Sequence, residues 1–314
     1  MSPPTRSRNG GIDTERRRHE YQHRRFLSGN SRYRDRRNVR SLSVLGDLLM
    51  PGIDVTDDTI TFSQSWTNTF QTCPQQAFLE MKGRLPRKET DATAAGNALH
   101  RGAEFVLNGL GSLTEGEDAA YAELERLMSV PEFEFVQVKT KDTLVAAVQR
   151  VYWTWANEVY PTLPAPAGIE EPFDVQVADT EYGKLRIKGS IDLFDELGNI
   201  TDWKTANGFH AWKQHEVEKK IQPTFYFLGM MLTDPNWDYQ AATFDFIIMN
   251  KQKQEHLVLS TKRGDGHFTW LIEQLTSIAK LIRADLDSWP LFDNSFLCSP
   301  KWATCWDDCK GKHL

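Results

Sequence analysis

The sequence predicts an α/β protein in which a mixed central sheet carries helices packed on it. Three observations lead there. Capped, helix-periodic segments fill residues 63–159; extended runs rich in Ile, Leu and Phe fill 173–205 and 241–261; and a long amphipathic segment follows at 267–288. No internal repeat competes with this reading.

In chain order, Ser63 or Ser65 caps a first helix running to about residue 82. A second helix is expected over 92–108, between the Pro86 loop and the Gly109–Gly111 break, and two more over 117–129 and 140–159. Residues 161–172, with four prolines, read as a connector. Strands follow at 173–179, 184–195 and 199–205, then a helix over 212–232 bent near Pro223. Residues 241–249 and 256–261 are β-branched, aromatic or alternating and read as strands. Pro290 ends the last helix.

The 314 residues can bury a sizeable core, and 40% of them are hydrophobic. No apolar run is long enough to span a membrane, and no signal peptide is apparent, so a cytoplasmic location is expected. In that compartment the four cysteines read as metal ligands or free thiols rather than disulfides. Charge is uneven. Residues 1–49 hold twelve arginines, no lysine and five acids, hence +7, which leaves −13 on residues 50–314 of a chain whose net charge is −6. The basic segment is expected to be a disordered tail, either a non-specific nucleic-acid contact or an extension upstream of a natural start at Met50. Residues 50–314 then form the folded domain.

The chemistry concentrates at 186–206. Gly198-Asn199 supplies turn residues between two extended runs, so a β-hairpin is expected with Asp192 opposite 202–204. Asp202 and Lys204, two apart, share a face while Trp203 projects away. Two carboxylates about 5 Å apart across strands repel unless a cation lies between them. Oxygen ligands suit Mg²⁺ or Mn²⁺, and an adjacent lysine suits work on a phosphate. This is the pattern of a metal-dependent phosphodiesterase.

Four features add context. Gly96 and His100 share a helical face, and the imidazole is a candidate additional ligand. Gln222 and Tyr226 also share a face and offer an amide and a phenol to phosphate or base. Glu170 and Glu171 read as a solvated acidic pair in preference to the alternative, that one of them reaches the metal or its water. Cys73 stands far from Cys298, Cys305 and Cys309, and the four suggest a clasp around a [4Fe–4S] cluster or zinc. Spacings of six and three residues favour the cluster, because zinc sites commonly use paired short knuckles.

Taken in order, Cys73-Pro74, Gly96…His100, Gly189-Ser190-Ile191-Asp192, Asp202-Trp203-Lys204-Thr205, Gln222…Tyr226 and three late cysteines resemble the PD-(D/E)XK nucleases of the RecB type. The match is nearest the iron–sulfur branch with the AddB nuclease domain, phage exonucleases and CRISPR-adaptation nucleases. The resemblance spans about 63–309. It implies a restriction-endonuclease-like core, with His100, Asp192, Asp202 and the Trp203 carbonyl holding Mg²⁺ or Mn²⁺. Lys204 would sit beside the attacking water, Gln222 and Tyr226 would support Lys204 and the DNA, and the cysteines would ligate a [4Fe–4S] cluster. The implied activity is a DNA exonuclease in recombination, repair or phage DNA processing, with a helicase or recombinase as partner. A prespacer-trimming nuclease and a non-catalytic DNA-binding protein are the alternatives. Two departures stand out: the C-terminal cysteines are spaced Cys-x₆-Cys-x₃-Cys, and the Arg-rich tail has no counterpart. The cleft of an acidic body also needs local cations, for which Lys213, Lys219, Lys220, Lys251, Lys253, Lys262 and Arg263 are candidates.

Overall fold

In the computed structural model, residues 52–85, 89–131, 133–291, 298–299, 303 and 305–309 are described. The Arg-rich segment 1–49 lies outside them. The body opens with β1 (Ile53–Val55) and β2 (Thr59–Ser63), an antiparallel pair that sequence periodicity does not announce. Both are too short to show a period ahead of the helix signal at Ser63. Ser63 then accepts the Trp66 N–H and caps α1 (Gln64–Thr72). The single helix predicted to residue 82 is in fact two, because α2 (Pro74–Met81) starts anew. Pro74 drives Cys73 to an extended φ of −154°, which ends α1, and its missing N–H suits the first turn of α2.

Capping boxes open α3 (Asp91–Leu107) at Thr90 and α4 (Leu113–Met128) at Ser112. The second box, closed by Glu115, starts α4 earlier than periodicity predicts. Thr140 caps α5 (Lys141–Thr154), which runs into a π-helical turn, Trp155–Val159, and a short 3₁₀ turn, Tyr160–Thr162.

The predicted connector at 161–172 is largely strand. β3 (Pro166–Thr180) includes Pro166 and Pro172, which an edge strand tolerates since it pairs on one side only, with β4 (Gly183–Asp195). β5 (Ile200–Ala206) comes after a turn in which Gly198 takes φ +84° and Asp195 Oδ1 accepts the Leu197 and Asn199 N–H groups. The helix predicted to bend at Pro223 is also two, α6 (Gln214–Lys219) and α7 (Ile221–Thr233). The break falls at Lys220 because Pro223 lies in the first turn of α7, where no N–H is required. β6 (Phe244–Asn250), β7 (His256–Thr261) and α8 (Asp265–Arg283) complete the fold.

Among the described residues one seven-stranded sheet runs β1-β2-β4-β5-β6-β7, with β3 on the other edge of β4. The pairs β2–β4 and β5–β6 are parallel and the rest antiparallel. β4 holds β2 along Lys184–Lys188 but β5 only at Leu193 and Phe194. Residues 189–192 have no ladder partner on that edge, so the sheet forks there. Phe225 and Phe227 of α7 and Leu271 and Leu275 of α8 are fully buried in the core with Ile187, Phe244 and Phe246. Each such side chain stabilises the fold by about 1.5–3 kcal/mol. No helix among the described residues is long and apolar enough to cross a membrane.

Candidate active site

The fork decides the geometry. The pair Leu193↔Thr201 sets Asp192 opposite Asp202, where the strands have already diverged. Asp192 Oδ2 accepts the Trp203 N–H at 2.9 Å and so replaces the ladder bond that the divergence removes. Alternation along β5 sends Trp203 to one face, edge-on to Trp155 with ring centroids 6.1 Å apart. Asp202 and Lys204 share the other face, and Lys204 Nζ lies 2.5 Å from Asp202 Oδ2. On that face Gln222 donates to Asp202 Oδ1 at 2.6 Å and to the Tyr226 hydroxyl at 3.1 Å. The Tyr226 ring is wedged between Phe173 and Phe244.

His100 reaches the fork from α3. Its Nε2 is 3.1 Å from the Trp203 carbonyl, and its Nδ1 is 3.4 Å from Asp192 Oδ2 and 3.5 Å from Glu170 Oε1. Gly96, one turn earlier, is not there for close approach: a Cβ would meet Thr205 Oγ1 at an ordinary 3.9 Å.

Glu170 corrects the reading of a solvated pair. The pairs Ile169↔Leu193 and Glu171↔Ile191 bracket it, so it stands opposite Asp192. It accepts from Ser190 Oγ at 3.2 Å and adopts φ +47°, in the left-handed region. Ligand atoms of His100, Glu170 and Asp192 all lie within 4.8 Å of one another. Counted back from the turn at Gly183, Glu170 would mirror Leu193; the register shift between Gln176 and Ala178 brings it opposite Asp192 instead, and no local sequence signal marks that shift. That count has meaning only once the proline-rich stretch is recognised as strand.

The sequence matches the PD-(D/E)XK nuclease superfamily over residues 61–310. The chain belongs to the PD-(D/E)XK nuclease superfamily. No curated protein matches it. Among solved structures it is similar to a candidate exonuclease from Eubacterium rectale, at 11% identity, with 75% of this chain and 86% of that one covered and a TM-score of 0.49. It is also similar to SSO0001, at 7% identity, covering 68% and 85% with a TM-score of 0.29.

In this superfamily member the site holds three carboxylates against one lysine and one histidine, and its protons respond accordingly. Burial raises Asp192; it also raises Asp202, to about 6, against the pull of Lys204. Burial works against charge on His100, but Asp192 and Glu170 outweigh it and hold the imidazole up at about 9. Burial likewise opposes charge on Lys204, and Asp202 and Asp192 more than compensate. A divalent cation fits this donor set. Asp202 is 1% exposed, yet its Oδ2 accepts no hydrogen bond of proper geometry and faces only the ammonium charge of Lys204. Hard oxygens with one imidazole suit Mg²⁺ or Mn²⁺.

The cysteines are not gathered into one ligand set among the described residues, so the expected clasp is not shown. Cys305 hydrogen-bonds to Cys73, which holds Cys73 down at about 6 and pushes Cys305 up, with Cys309 adding to the rise. The candidate cleft cations also sort themselves. Arg263 is buried and structural, donating to Thr224, Thr261 and the carbonyls of Glu218 and Lys220. Lys251 is buried and donates to Gln137, while Lys213, Lys219, Lys253 and Lys262 are exposed. Lys220 is half-buried and feels the charges of both Lys204 and Asp202.

Proposed function

We propose that the protein is a Mg²⁺- or Mn²⁺-dependent deoxyribonuclease that works from DNA ends. The observation that carries this reading is Lys204 Nζ at 2.5 Å from the buried Asp202 Oδ2, on the strand beside the His100–Glu170–Asp192 group. Superfamily membership supports a nucleic-acid substrate, and the RecB-type motif order supports exonuclease over endonuclease.

A divalent ion held by His100, Asp192, Asp202 and the Trp203 carbonyl, with Glu170 adding a carboxylate, would supply the Lewis acidity that generates hydroxide near neutral pH. The chain's own residues do the rest. Asp192 ties down the Trp203 amide, which fixes the direction of the neighbouring carbonyl. Gln222 engages one oxygen of Asp202 and leaves Oδ2 turned toward the reaction. Tyr226, anchored by two aromatic rings, holds Gln222 in turn. Lys204 presents a fixed ammonium to the attacking water and to the phosphate oxygens whose charge grows in the transition state.

Digestion of end-labelled linear and circular DNA, with Mg²⁺ or Mn²⁺ and then with EDTA, tests the proposal. Linear DNA should be degraded, EDTA should stop it, and Lys204→Ala should lose about 10²-fold or more. Wild type and K204A digesting DNA equally would refute the site; both inert while binding DNA would leave a non-catalytic binder. The [4Fe–4S] role of Cys73, Cys298, Cys305 and Cys309 is a separate part of the proposal, supported by the Cys73–Cys305 contact and the burial of Cys305 and Cys309. Anaerobically purified protein should then be coloured and Cys305→Ala colourless; a colourless wild type carrying zinc would overturn it.

A further inference from the structure

Lys220 differs from the other lysines in how it is held. It is the extended N-cap of α7, with φ −64° and ψ 134°, at the corner between two helices. Its carbonyl accepts Arg263 Nη2 at 2.8 Å, and the same buried guanidinium grips the Glu218 carbonyl at 3.1 Å and the Thr224 hydroxyl at 2.9 Å. The corner is therefore rigid. The ammonium lies 4.6 Å from the centroid of the Trp212 ring, which is itself seated on Phe246.

Lys82, Lys141, Lys188, Lys204 and Lys219 each pair with a carboxylate. Among the described residues Lys220 has no such partner; its charge rests on an aromatic face. It is also close to the reaction, since Gln222, two residues on, bonds Asp202. Burial and the charge of Lys204 both press its pKa below the usual lysine range. Two ammonium groups that feel each other's charge, one of them without a carboxylate partner, are a poor arrangement for an empty protein. An anion between them reverses the sign of that interaction, and a nucleic-acid strand carries one on every residue.

We propose that Lys220 binds the phosphate next to the scissile one, so that its charge sets substrate affinity and leaves the chemical step alone. The inference rests on the nuclease reading, and binding can be measured apart from cleavage. In a Lys204→Ala background without divalent ions, affinity for a short labelled DNA duplex and a single strand is measured across about 50–200 mM salt. Lys220→Gln should weaken binding about three- to tenfold and flatten the slope of log affinity against log salt by about 0.9 for duplex or 0.7 for single strand. Lys220→Arg should restore both, which excludes a folding defect. Trp212→Leu should weaken binding about two- to fivefold and keep the slope, because the charge remains. Lys253→Gln, the same charge change on the exposed β6–β7 turn, should do nothing.

With Lys204 intact, K220Q should raise KM and keep kcat. An unchanged salt slope, a loss confined to kcat, or no DNA binding at all would overturn the proposal. A wild type that cleaves nothing while K220Q still flattens the slope would sink the nuclease reading and leave Lys220 standing as a phosphate ligand.

Discussion

Glu170 permits a test that separates backbone strain from ligand chemistry. Its φ of +47° costs a residue with a side chain about 1–2 kcal/mol. Glycine removes that cost, but its freedom in the unfolded chain offsets about 0.5–1 kcal/mol. Glu170→Gln keeps the strain and discards the charge; Glu170→Gly discards both. Each loses the ionic contact with His100 and the repulsion with Asp192, and a Ser190→Ala background removes the hydrogen bond that glutamine alone would keep, so these cancel in the comparison. In EDTA, E170G should be more stable than E170Q by about 0.5–1 kcal/mol, or about 1–3 °C in Tm. Titration with Mn²⁺, followed by calorimetry or by loss of the free-ion paramagnetic signal, should show both variants binding at least about tenfold more weakly than wild type. A metal-free E170Q as stable as E170G would show that the left-handed backbone stores nothing. Wild-type Mn²⁺ affinity in both would remove Glu170 from the cation site.

The same structure leads to other expected outcomes. His100 keeps its proton to about 9 and Asp202 keeps one to about 6, so a divalent ion must displace protons to bind. Mn²⁺ affinity should rise from pH 6 to 9 with proton release, read by calorimetry in buffers of different ionisation heat; a flat profile would contradict the assigned ligands. In metal-free protein the sign reverses: the raised His100 pKa contributes stability below its unfolded value of about 6.5, lost as pH climbs through 9. Asp91, 1% exposed, accepts the N–H groups of Val136, Gln137 and Val138, so Asp91→Ala should cost about 3–5 kcal/mol in chemical denaturation. Hydrogen exchange at those three amides should accelerate with it. Arg263→Lys should cost about 2–4 kcal/mol despite the retained charge, since an ammonium cannot span hydroxyls and carbonyls on three segments; a neutral result would deny the clamp.

The hairpin was legible because its signals are local: Gly198 takes the positive φ its turn needs, and period-2 spacing puts Asp202 with Lys204. His100 was legible as a residue type, although the Trp203 carbonyl it meets lies 103 positions away. Glu170 was hidden by prolines that argue against a strand unless the strand is known to be an edge. Lys220 was one of seven candidate cations, and nothing near it in sequence reveals that Arg263, 43 positions on, holds its carbonyl. For the cysteines, residue type spoke of sulfur ligands, but spacing along a chain carries no distance between sulfurs that meet through tertiary structure.

The π-helical turn Trp155–Val159 makes chain length matter unequally on its two sides. Trp155 heads that turn and forms the wall behind Trp203, the residue between Asp202 and Lys204. Losing one residue from 156–159 would tighten the turn to α and rotate only the residues C-terminal to it, by about 100° per residue. Losing one residue from the last turns of α5 would swing the indole off Trp203 and leave the strand that carries Asp202 and Lys204 without backing. A deletion there would disturb the candidate site, though none of that site's own residues is removed.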